Sequence, residues 1–335
     1  MKSNKAHSHH APLYDSSERL LFQLVHPGSS GATLWVIQTQ AQVIARKHTT
    51  INPVKLLEQY EWLNARDSSP YFPSVLNPQE GDNAFSYDMT FYDGAQSLAF
   101  YLSSNEVEDS NLLVNLIKEL QSSFYVSSDQ HFSAQSYLYY LREKFFKKVK
   151  ACELTRPDLQ PLFNSPTITI NKHEYVNFPG LWKFFSSSQC LSLFHSFNSL
   201  SLEAIHGDLT TENILLATDG LKLIDPNQEN HISTMAVDIA KIYQSIHSHY
   251  EHLDTAIVTT TNNSIDFTLQ LDQAYINNCH MLLHALETEL SLNLSEVYFH
   301  EAIHFSRMLP YKLKKPETFL VYYAKMILLF NSVIR

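Results

Sequence analysis

Residues 205–227, IHGDLTTENILLATDGLKLIDPN, combine two apolar runs with a high density of polar side chains. The runs ILLA and LKLI flank the pair Asp219-Gly220. Asp-Gly between β-prone runs predicts a hairpin with a two-residue turn, in which both turn residues have positive φ. The polar residues gathered around its open end are His206, Asp208, Asn213 and Asp225. The stretch therefore predicts one polar site beside a small hairpin.

The expected pairing brings an amide and a carboxylate together. With Asp219 and Gly220 in the turn, Asn213 should face position 226 and Asp225 should face position 214. The two side chains then lie roughly 5 Å apart across the strands. An amide oxygen and a carboxylate suit Mg²⁺, which takes few protein ligands and completes its shell with water and phosphate. Asp208, within reach of the same place, could accept a proton from a hydroxyl that attacks a phosphate.

Composition narrows the class of protein. A chain of 335 residues exceeds the usual size of one hydrophobic core, so two lobes are expected. Hydrophobic and charged fractions of 44% and 17% are typical of soluble globular proteins. The net charge of −10 argues against a nucleic-acid partner, which would need a basic surface. Three widely separated cysteines predict neither a disulfide framework nor a zinc site, and favour a reducing cytoplasm.

The sequence carries no signal for export or membrane insertion. Residues 1–18 lack the apolar core of a signal peptide and predict a flexible tail. The most apolar stretch, LVYYAKMILLF, contains Lys325 and is too short to span a bilayer. The tract HSHH at 7–10 invites a metal-binding interpretation, but no acidic or cysteine ligands accompany it. A cytoplasmic protein is expected, and its oligomeric state does not follow from the sequence.

Hydrophobic periodicity predicts a β-rich unit followed by a helical one. Strands are expected over LLFQLV, TLWVIQ, AQVIARK and FSYDMTFYDG, with a helix over VKLLEQYEWLNAR after the third strand. After residue 106 the spacing is mainly helical, apart from a β-like alternation in TITINKHEYVNF. The last 70 residues should be helical, with interruptions at Pro310 and Pro316. We expect an α+β, bilobal chain with an N-lobe over 19–95 and a C-lobe over 96–335.

The pattern H-G-D-x-x-x-x-N followed by I-D-P resembles the aminoglycoside phosphotransferases, choline kinases and related small-molecule kinases, which share the protein-kinase-like fold. The resemblance implies Asp208 as catalytic base, Asn213 and Asp225 as Mg²⁺ ligands, and His206 as the structural histidine of the catalytic loop. Asp238 resembles an aspartate that braces this loop. Gly207 stands where protein kinases carry an arginine, which favours a small-molecule acceptor.

The same resemblance implies ATP-binding residues in the N-lobe. Ala45-Arg46-Lys47 matches A-x-K, and strand alternation puts Ala45 and Lys47 on one face, beside adenine and phosphate respectively. Arg46 should point to the other face and is the weaker candidate. Of the two helix glutamates available to orient Lys47, Glu58 is chosen over Glu61 because its spacing to the FPSVL segment fits the family better.

Two further segments complete the expected nucleotide site. The turn HPGSSGAT would offer backbone N–H groups to phosphates from Gly28, Ser29, Ser30 and Gly31, although taken alone it is typical of an ordinary hairpin loop. MTFYDG resembles the family's hinge, so the backbone from Met89 to Phe91 should bind the edge of adenine. Backbone contacts do not distinguish ATP from GTP.

The expected activity is transfer of the ATP γ-phosphoryl group, with Mg²⁺, to a hydroxyl of a small molecule such as a sugar, an aminoglycoside-like compound or an amino alcohol. TITINKHEYVNF and HFSRMLPYKLKK weakly resemble segments of phosphotransferases linked to bacterial surface-polysaccharide synthesis, which makes a precursor of such a polymer one candidate acceptor. His304, Tyr311 and Lys312 are possible acceptor-facing residues, although ordinary packing or surface roles are favoured for each. The alternative is a pseudokinase that binds a nucleotide or a partner without transfer. Protein kinase activity is disfavoured by Gly207 and by the short interval between Asp225 and Asp238.

Overall fold

The computed structural model describes residues 18–25, 31–104 and 107–335. It divides into two compact units, Met1–Asp93 and Gly94–Arg335. Gly28, Ser29 and Ser30, which were expected to bind phosphate, and the HSHH tract lie outside the described residues.

The first unit is an antiparallel sheet with one helix. Its described elements are β1 (Arg19–Val25), β2 (Thr33–Gln38), β3 (Val43–Thr49), α1 (Pro53–Asn64), β4 (Val75–Gly81) and β5 (Ala84–Thr90). The five strands follow the order β1-β2-β3-β5-β4. In α1, Pro53 occupies the first turn, where its missing N–H has no helical partner to lose. The β-rich N-lobe with one inserted helix is therefore confirmed.

The second unit is mainly helical, with short strands between its helices. Its elements before the motif are β6 (Gln96–Ser97), α2 (Leu98–Ser104), α3 (Leu112–Ser123), β7 (Ser127–His131), α4 (Ala134–Leu141), α5 (Lys147–Thr155), α6 (Gln160–Asn164), β8 (Thr167–Ile170), β9 (His173–Val176), α7 (Phe178–Phe185), α8 (Gln189–Ser196) and β10 (Leu200–Leu202). A π-helical turn, Arg142–Phe146, joins α4 to α5, so the helical course continues through this segment with a different hydrogen-bond spacing.

The motif and the C-terminal helices follow. These elements are β11 (Ile214–Ala217), β12 (Gly220–Leu223), α9 (Met235–Ile246), β13 (Ile257–Thr261), β14 (Ser264–Thr268), α10 (Gln273–Glu289), α11 (Leu294–Lys312) and α12 (Pro316–Ile334). β12, β11 and β6 form one small sheet, and β13, β14, β8 and β9 form another. The interruption expected at Pro310 is wrong, because this residue lies within the last turn of α11.

The core of the second unit lies around α9, α11 and α12. Eleven of the twelve residues of α9 are buried, and so are most residues of α12. By length and composition α12 is the one helix among the described residues that could cross a membrane, yet 72% of its apolar window is buried in the protein. It is thus packed as a core helix, and α9 presents its polar residues to the loop that precedes β11.

Candidate active site

The loop from His206 to Asn213 owes its shape to Gly207. Gly207 has a φ of +77°, a region that residues with a side chain rarely adopt. A Cβ atom there would lie 2.1 Å from the carbonyl oxygen of Asn227 and 2.3 Å from the side-chain nitrogen of Asn230. Only glycine therefore allows the segment after β12 to cross the loop at this distance.

His206 forms hydrogen bonds with the segment after β12, on both sides of Asp225. The His206 Nε2 donates to the carbonyl of Ile224 at 3.0 Å, and the N–H of Asn227 donates to the carbonyl of His206 at 2.8 Å. The His206 Nδ1 accepts from the backbone N–H of Asp208 at 3.3 Å, which assigns the tautomer. Burial lowers the pKa of His206, so the ring is neutral and has a positioning role.

Asp238, in the first turn of α9, holds the loop from beneath. Its carboxylate accepts hydrogen bonds from the N–H groups of His206 (2.8 Å) and Gly207 (2.6 Å), and from the hydroxyl of Tyr125 (2.9 Å). The side chain is completely buried. Burial raises the pKa of the Asp238 carboxyl, and the donors that surround it offset part of this effect. The brace expected from the sequence is present.

Asp208 is half-buried, and its carboxylate lies beside one ammonium group and one side-chain amide. Its Oδ1 lies 3.0 Å from the Nζ of Lys241, and its Oδ2 lies 3.5 Å from the Nδ2 of Asn213. Its side chain keeps 33% of its surface exposed, whereas that of Lys241 keeps 11%. Asp208 is thus the partly open member of this group, and a hydroxyl could approach it from solvent.

Asn213 and Asp225 lie beside the same loop, although the predicted hairpin register is wrong. Ala217 pairs with Gly220 and Ile214 with Leu223, so the turn consists of residues 218 and 219. Gly220, not Asp219, carries the positive φ of +115°. Each strand is shifted by one residue, and the carbonyl of Asn213 accepts from the N–H of Ile224, the neighbour of Asp225.

The side-chain oxygens of Asn213 and Asp225 are suitable ligands for a hard cation. Asn213 donates its Nδ2 to the carbonyl of Asp208 at 2.7 Å, so its amide oxygen is the atom left for a metal. Asp225 is exposed and adopts a left-handed φ of 60°, a strained conformation that is concentrated at functional sites. In the described ranges 18–25, 31–104 and 107–335, no group of three His, Cys, Asp or Glu side chains could hold a metal. Mg²⁺ needs only one or two protein carboxylates beside phosphate and water.

In the first unit, Lys47 points to the face expected but has a different partner. The Lys47 Nζ donates to the Oε1 of Gln59 at 2.8 Å, and the hydroxyl of Tyr87 donates to the same oxygen at 2.9 Å. Glu58 is exposed, because it lies about 100° around α1 from the buried face. The choice of Glu58 as the partner of Lys47 is therefore wrong, and Glu61 is also exposed.

Arg46 occupies the opposite face of β3, as strand alternation predicts. It forms a buried ion pair with Asp88 (Nε to Oδ1, 2.6 Å) and a second with Glu18 (2.9 Å). The hydrogen bonds with Asp88 raise the pKa of Arg46. Because Arg46 is buried and both of its carboxylate partners belong to this chain, it has a structural role, and Lys47 is the better candidate for contact with a ligand.

Ala45, Met89, Phe91 and Gly31 are the other described residues expected near a nucleotide. Ala45 is buried and pairs with Met89 across β3 and β5. Met89 and Phe91 help to line a cavity of about 350 Å³ in the first unit, but Ala45 and Lys47 do not. Gly31 has a φ of +58°, as a tight glycine turn requires.

The three possible acceptor residues, His304, Tyr311 and Lys312, have different environments. His304 is buried, and its Nε2 lies 3.3 Å from the carbonyl of Val237. Tyr311 is exposed, and Lys312 forms an ion pair with Asp254 at 3.0 Å.

The sequence analysis missed two polar residues, Gln59 beside Lys47 and Lys241 beside Asp208. The signal for both was a polar residue on the apolar face of a helix.

No family model and no curated protein matches this sequence. Solved structures match along nearly the whole chain. A protein from Haemophilus somnus 129PT described as a fructosamine-3-kinase is 10% identical, with a TM-score of 0.52, and the match covers 95% of this chain and 92% of that one. A thermostable mutant of the aminoglycoside phosphotransferase APH(4)-Ia is 8% identical, with a TM-score of 0.55 and coverage of 93% and 94%. The ternary complex of another mutant with ADP and hygromycin B is also 8% identical, with a TM-score of 0.53 and coverage of 94% and 92%.

At these identities the likeness establishes the fold. This chain has the protein-kinase-like fold of the aminoglycoside phosphotransferases, with a β-sheet N-terminal unit and a mainly helical C-terminal unit. The fold that the H-G-D-x-x-x-x-N and I-D-P patterns implied is thereby confirmed.

Proposed function

We propose that this protein is a small-molecule kinase, which transfers the γ-phosphoryl group of ATP to a hydroxyl of its acceptor with the help of Mg²⁺. The observation that carries the proposal is the construction of the loop from His206 to Asn213. It presents a half-buried carboxylate, Asp208, next to the Asn213 amide, whose oxygen is available for a metal. His206 donates to the carbonyl of Ile224 and accepts from the N–H of Asn227, on either side of the strained Asp225. We propose a cytoplasmic site of action, where ATP is plentiful.

Asp208 acts as the base in this proposal. Its carboxylate accepts a hydrogen bond from the acceptor hydroxyl and orients the oxygen for attack on the γ-phosphorus. As the new O–P bond forms, the bond from phosphorus to the β-γ bridging oxygen breaks, the hydroxyl proton passes to Asp208, and ADP leaves. Asn213 and Asp225 would hold the metal, which would neutralise phosphate charge.

Donor binding is assigned to residues of the first unit. Lys47, which donates to the Gln59 amide that Tyr87 also donates to, would contact the α- and β-phosphates, and Ala45 would contact the base. The backbone from Met89 to Phe91 would bind the adenine edge, and the turn that ends at Gly31 would contribute N–H groups. ATP is the proposed donor because neighbours of the same fold are described in complexes with ADP and AMP-PNP.

The acceptor class is a hydroxylated small molecule. A neighbour of the same fold, the APH(4)-Ia mutant, is described in complex with hygromycin B. For this chain we propose a sugar, an aminoglycoside-like compound or an amino alcohol, with a surface-polysaccharide precursor among the candidates.

One observation favours a second candidate function. Lys47 donates to an amide, that of Gln59, at the place where the usual kinase ion pair has a carboxylate. An amide at this helix position departs from the residue pair that the kinase mechanism uses. The second candidate is therefore a pseudokinase, which binds nucleotide without transfer.

Phosphate transfer from ATP to a panel of sugars, amino alcohols and aminoglycosides tests the proposal. We expect Asp208→Asn to reduce kcat by about 10²–10⁴-fold, because the variant cannot accept the proton. The matched control is Asp219→Asn, which removes an exposed carboxylate at the hairpin turn and should leave turnover unchanged. Nucleotide binding by the wild type without transfer to any acceptor would favour the pseudokinase instead.

A further inference from the structure

Among the described residues that contact Asp208, Lys241 is the one that the motif does not explain. It lies on α9 three residues after Asp238, so both side chains leave the same face of the helix. Asp238 binds the backbone of the catalytic loop, and Lys241 reaches the carboxylate of Asp208 at 3.0 Å. The Lys241 Nζ also donates to the Oε1 of Gln244, one turn further along, at 3.0 Å. The ammonium is thus fixed between two oxygen atoms.

Stability alone gives a weak reason for this lysine. Its residue is only 9% exposed, and desolvation of an ammonium costs free energy that an ion pair with a half-exposed carboxylate does not fully return. The rest of α9 is apolar apart from Asp238, Gln244 and Ser245, so a methionine or leucine would pack at this position. A role for the charge in chemistry accounts better for its position.

The catalytic loop supplies no cation of its own. Its residues between Asp208 and Asn213 are Leu209, Thr210, Thr211 and Glu212. Transfer of a phosphoryl group places negative charge on three equatorial oxygens, and enzymes stabilise this charge with lysine, arginine or metal ions. An acceptor oxygen bonded to Asp208 Oδ1 and the ammonium bonded to the same atom would lie roughly 3–5 Å apart. The Lys241 ammonium is therefore close to the oxygen that attacks.

We propose that Lys241 is a catalytic residue that binds the transferring phosphoryl group from the acceptor side. This inference rests on the proposed kinase function. The acceptor hydroxyl binds the Asp208 carboxylate beside the ammonium and gives its proton to that carboxylate. Its oxygen forms a bond to the γ-phosphorus as the bond to ADP breaks. Lys241 remains protonated throughout and donates hydrogen bonds to the phosphoryl oxygens.

The affinities of Mg²⁺ with AMP-PNP and of Mg²⁺ with ADP, measured by calorimetry, test this proposal without turnover. Because the ammonium would contact only the γ-phosphoryl group, Lys241→Met should weaken AMP-PNP about 10-fold and change ADP less than about 2-fold. Lys241→Arg should restore most of the loss. The matched control is Lys222→Met, which removes a buried lysine whose ion pair is with Asp219 at the hairpin turn, and both affinities should persist.

Turnover gives the second readout. We expect Lys241→Met to lower kcat by about 10²-fold, within the range for loss of one donor to a developing anion, and Lys241→Arg to recover part of it. Equal losses of AMP-PNP and ADP affinity, or no loss of either, would overturn the proposal while the kinase function stands. Lys241→Gln, which keeps a donor for Gln244, replaces the methionine variant if that variant does not fold.

Failure of the kinase function gives a different pattern. A wild type that binds both nucleotides but phosphorylates no acceptor contradicts the proposed function, and the ratio of the two affinities still decides the contact of Lys241. A wild type that binds neither nucleotide overturns both proposals together.

Discussion

Gly207 leaves no space for a side chain where two segments of the site cross, and we predict that Gly207→Ala destabilises the protein strongly. Alanine at positive φ costs about 1–2 kcal/mol. The added Cβ would also meet the carbonyl oxygen of Asn227 at 2.1 Å, and this backbone atom cannot move away easily. Thermal unfolding should show a loss larger than the strain alone.

Gly94→Ala is the matched control for this substitution. Gly94 has a similar φ of +70°, but no described heavy atom lies within 4 Å of the position that an added Cβ would occupy. Its loss should therefore stay near the cost of strain, about 1–2 kcal/mol. Equal losses in the two variants would show that the close approach at Gly207 does not constrain the loop.

Single residues could be predicted from the sequence where their type allows one chemistry. Asp208 and Asn213 are adjacent in the structure, and Asp238 binds the loop, as expected. The sequence did not reveal that Glu58 was the wrong partner for Lys47. A carboxylate was expected there, and the apolar spacing of α1 did not decide which of two neighbouring residues faces the sheet. The buried face of that helix includes Gln59, and this residue carries the hydrogen bond.

At the scale of elements, the hairpin of β11 and β12 shows why register is harder to predict than existence. Asp-Gly marked the turn correctly to within one residue, but Gly220 pairs with Ala217 instead of occupying the turn. The one-residue shift in pairing depends on which residues form the turn, and the sequence alone did not decide between 218–219 and 219–220. The hairpin of β13 and β14 was missed, although IVTTT and SIDFT flank an Asn-Asn pair.

The contact between α9 and α11 should depend on pH. His247, at the end of α9, places its Nδ1 3.0 Å from the Glu301 carboxylate of α11. Burial alone would lower the pKa of His247, but the charge and hydrogen bond of Glu301 raise it overall. Since the folded-state pKa exceeds the unfolded value of about 6.5, this ion pair stabilises fully below that pH. The stabilisation is lost as the pH rises through the raised pKa.

Replacement of His247 by glutamine measures this effect. We expect the free energy of unfolding of the wild type to exceed that of His247→Gln most at mildly acidic pH, and the difference to shrink as the pH is raised. Urea titrations at a series of pH values report it. A difference that grows toward alkaline pH would contradict the assigned direction of the shift.

At the scale of the whole molecule, the bilobal fold was predictable because one short pattern implied it. The H-G-D-x-x-x-x-N and I-D-P residues have conformational requirements, such as the left-handed backbone at Gly207 and Asp225, that few local structures satisfy. The α4–α5 segment was less predictable. Its spacing is helical throughout, and a π-helical turn at Arg142–Phe146 leaves almost no signal in a 3.6-residue pattern.

The three cysteines permit a test of cooperativity in the second unit. Cys152, Cys190 and Cys279 are free and buried, on α5, α8 and α10. Burial raises the pKa of Cys152 and of Cys279 to about 12, so the reactive thiolate is scarce in the folded state. We predict that all three resist a fast thiol reagent until the unit unfolds. Mass spectrometry at increasing urea should then show molecules with no label or with three.

Guanidinium-unfolded protein, which should take three labels at once, is the control for reagent access. If Gly94–Arg335 unfolds as one unit, species with one or two labels stay rare, because each opening exposes all three thiols together. Early labelling of a single cysteine, with the circular dichroism unchanged, would contradict this and would identify the helix that opens alone. Labelling of Cys152 first would place that opening at α5, next to the π-helical turn.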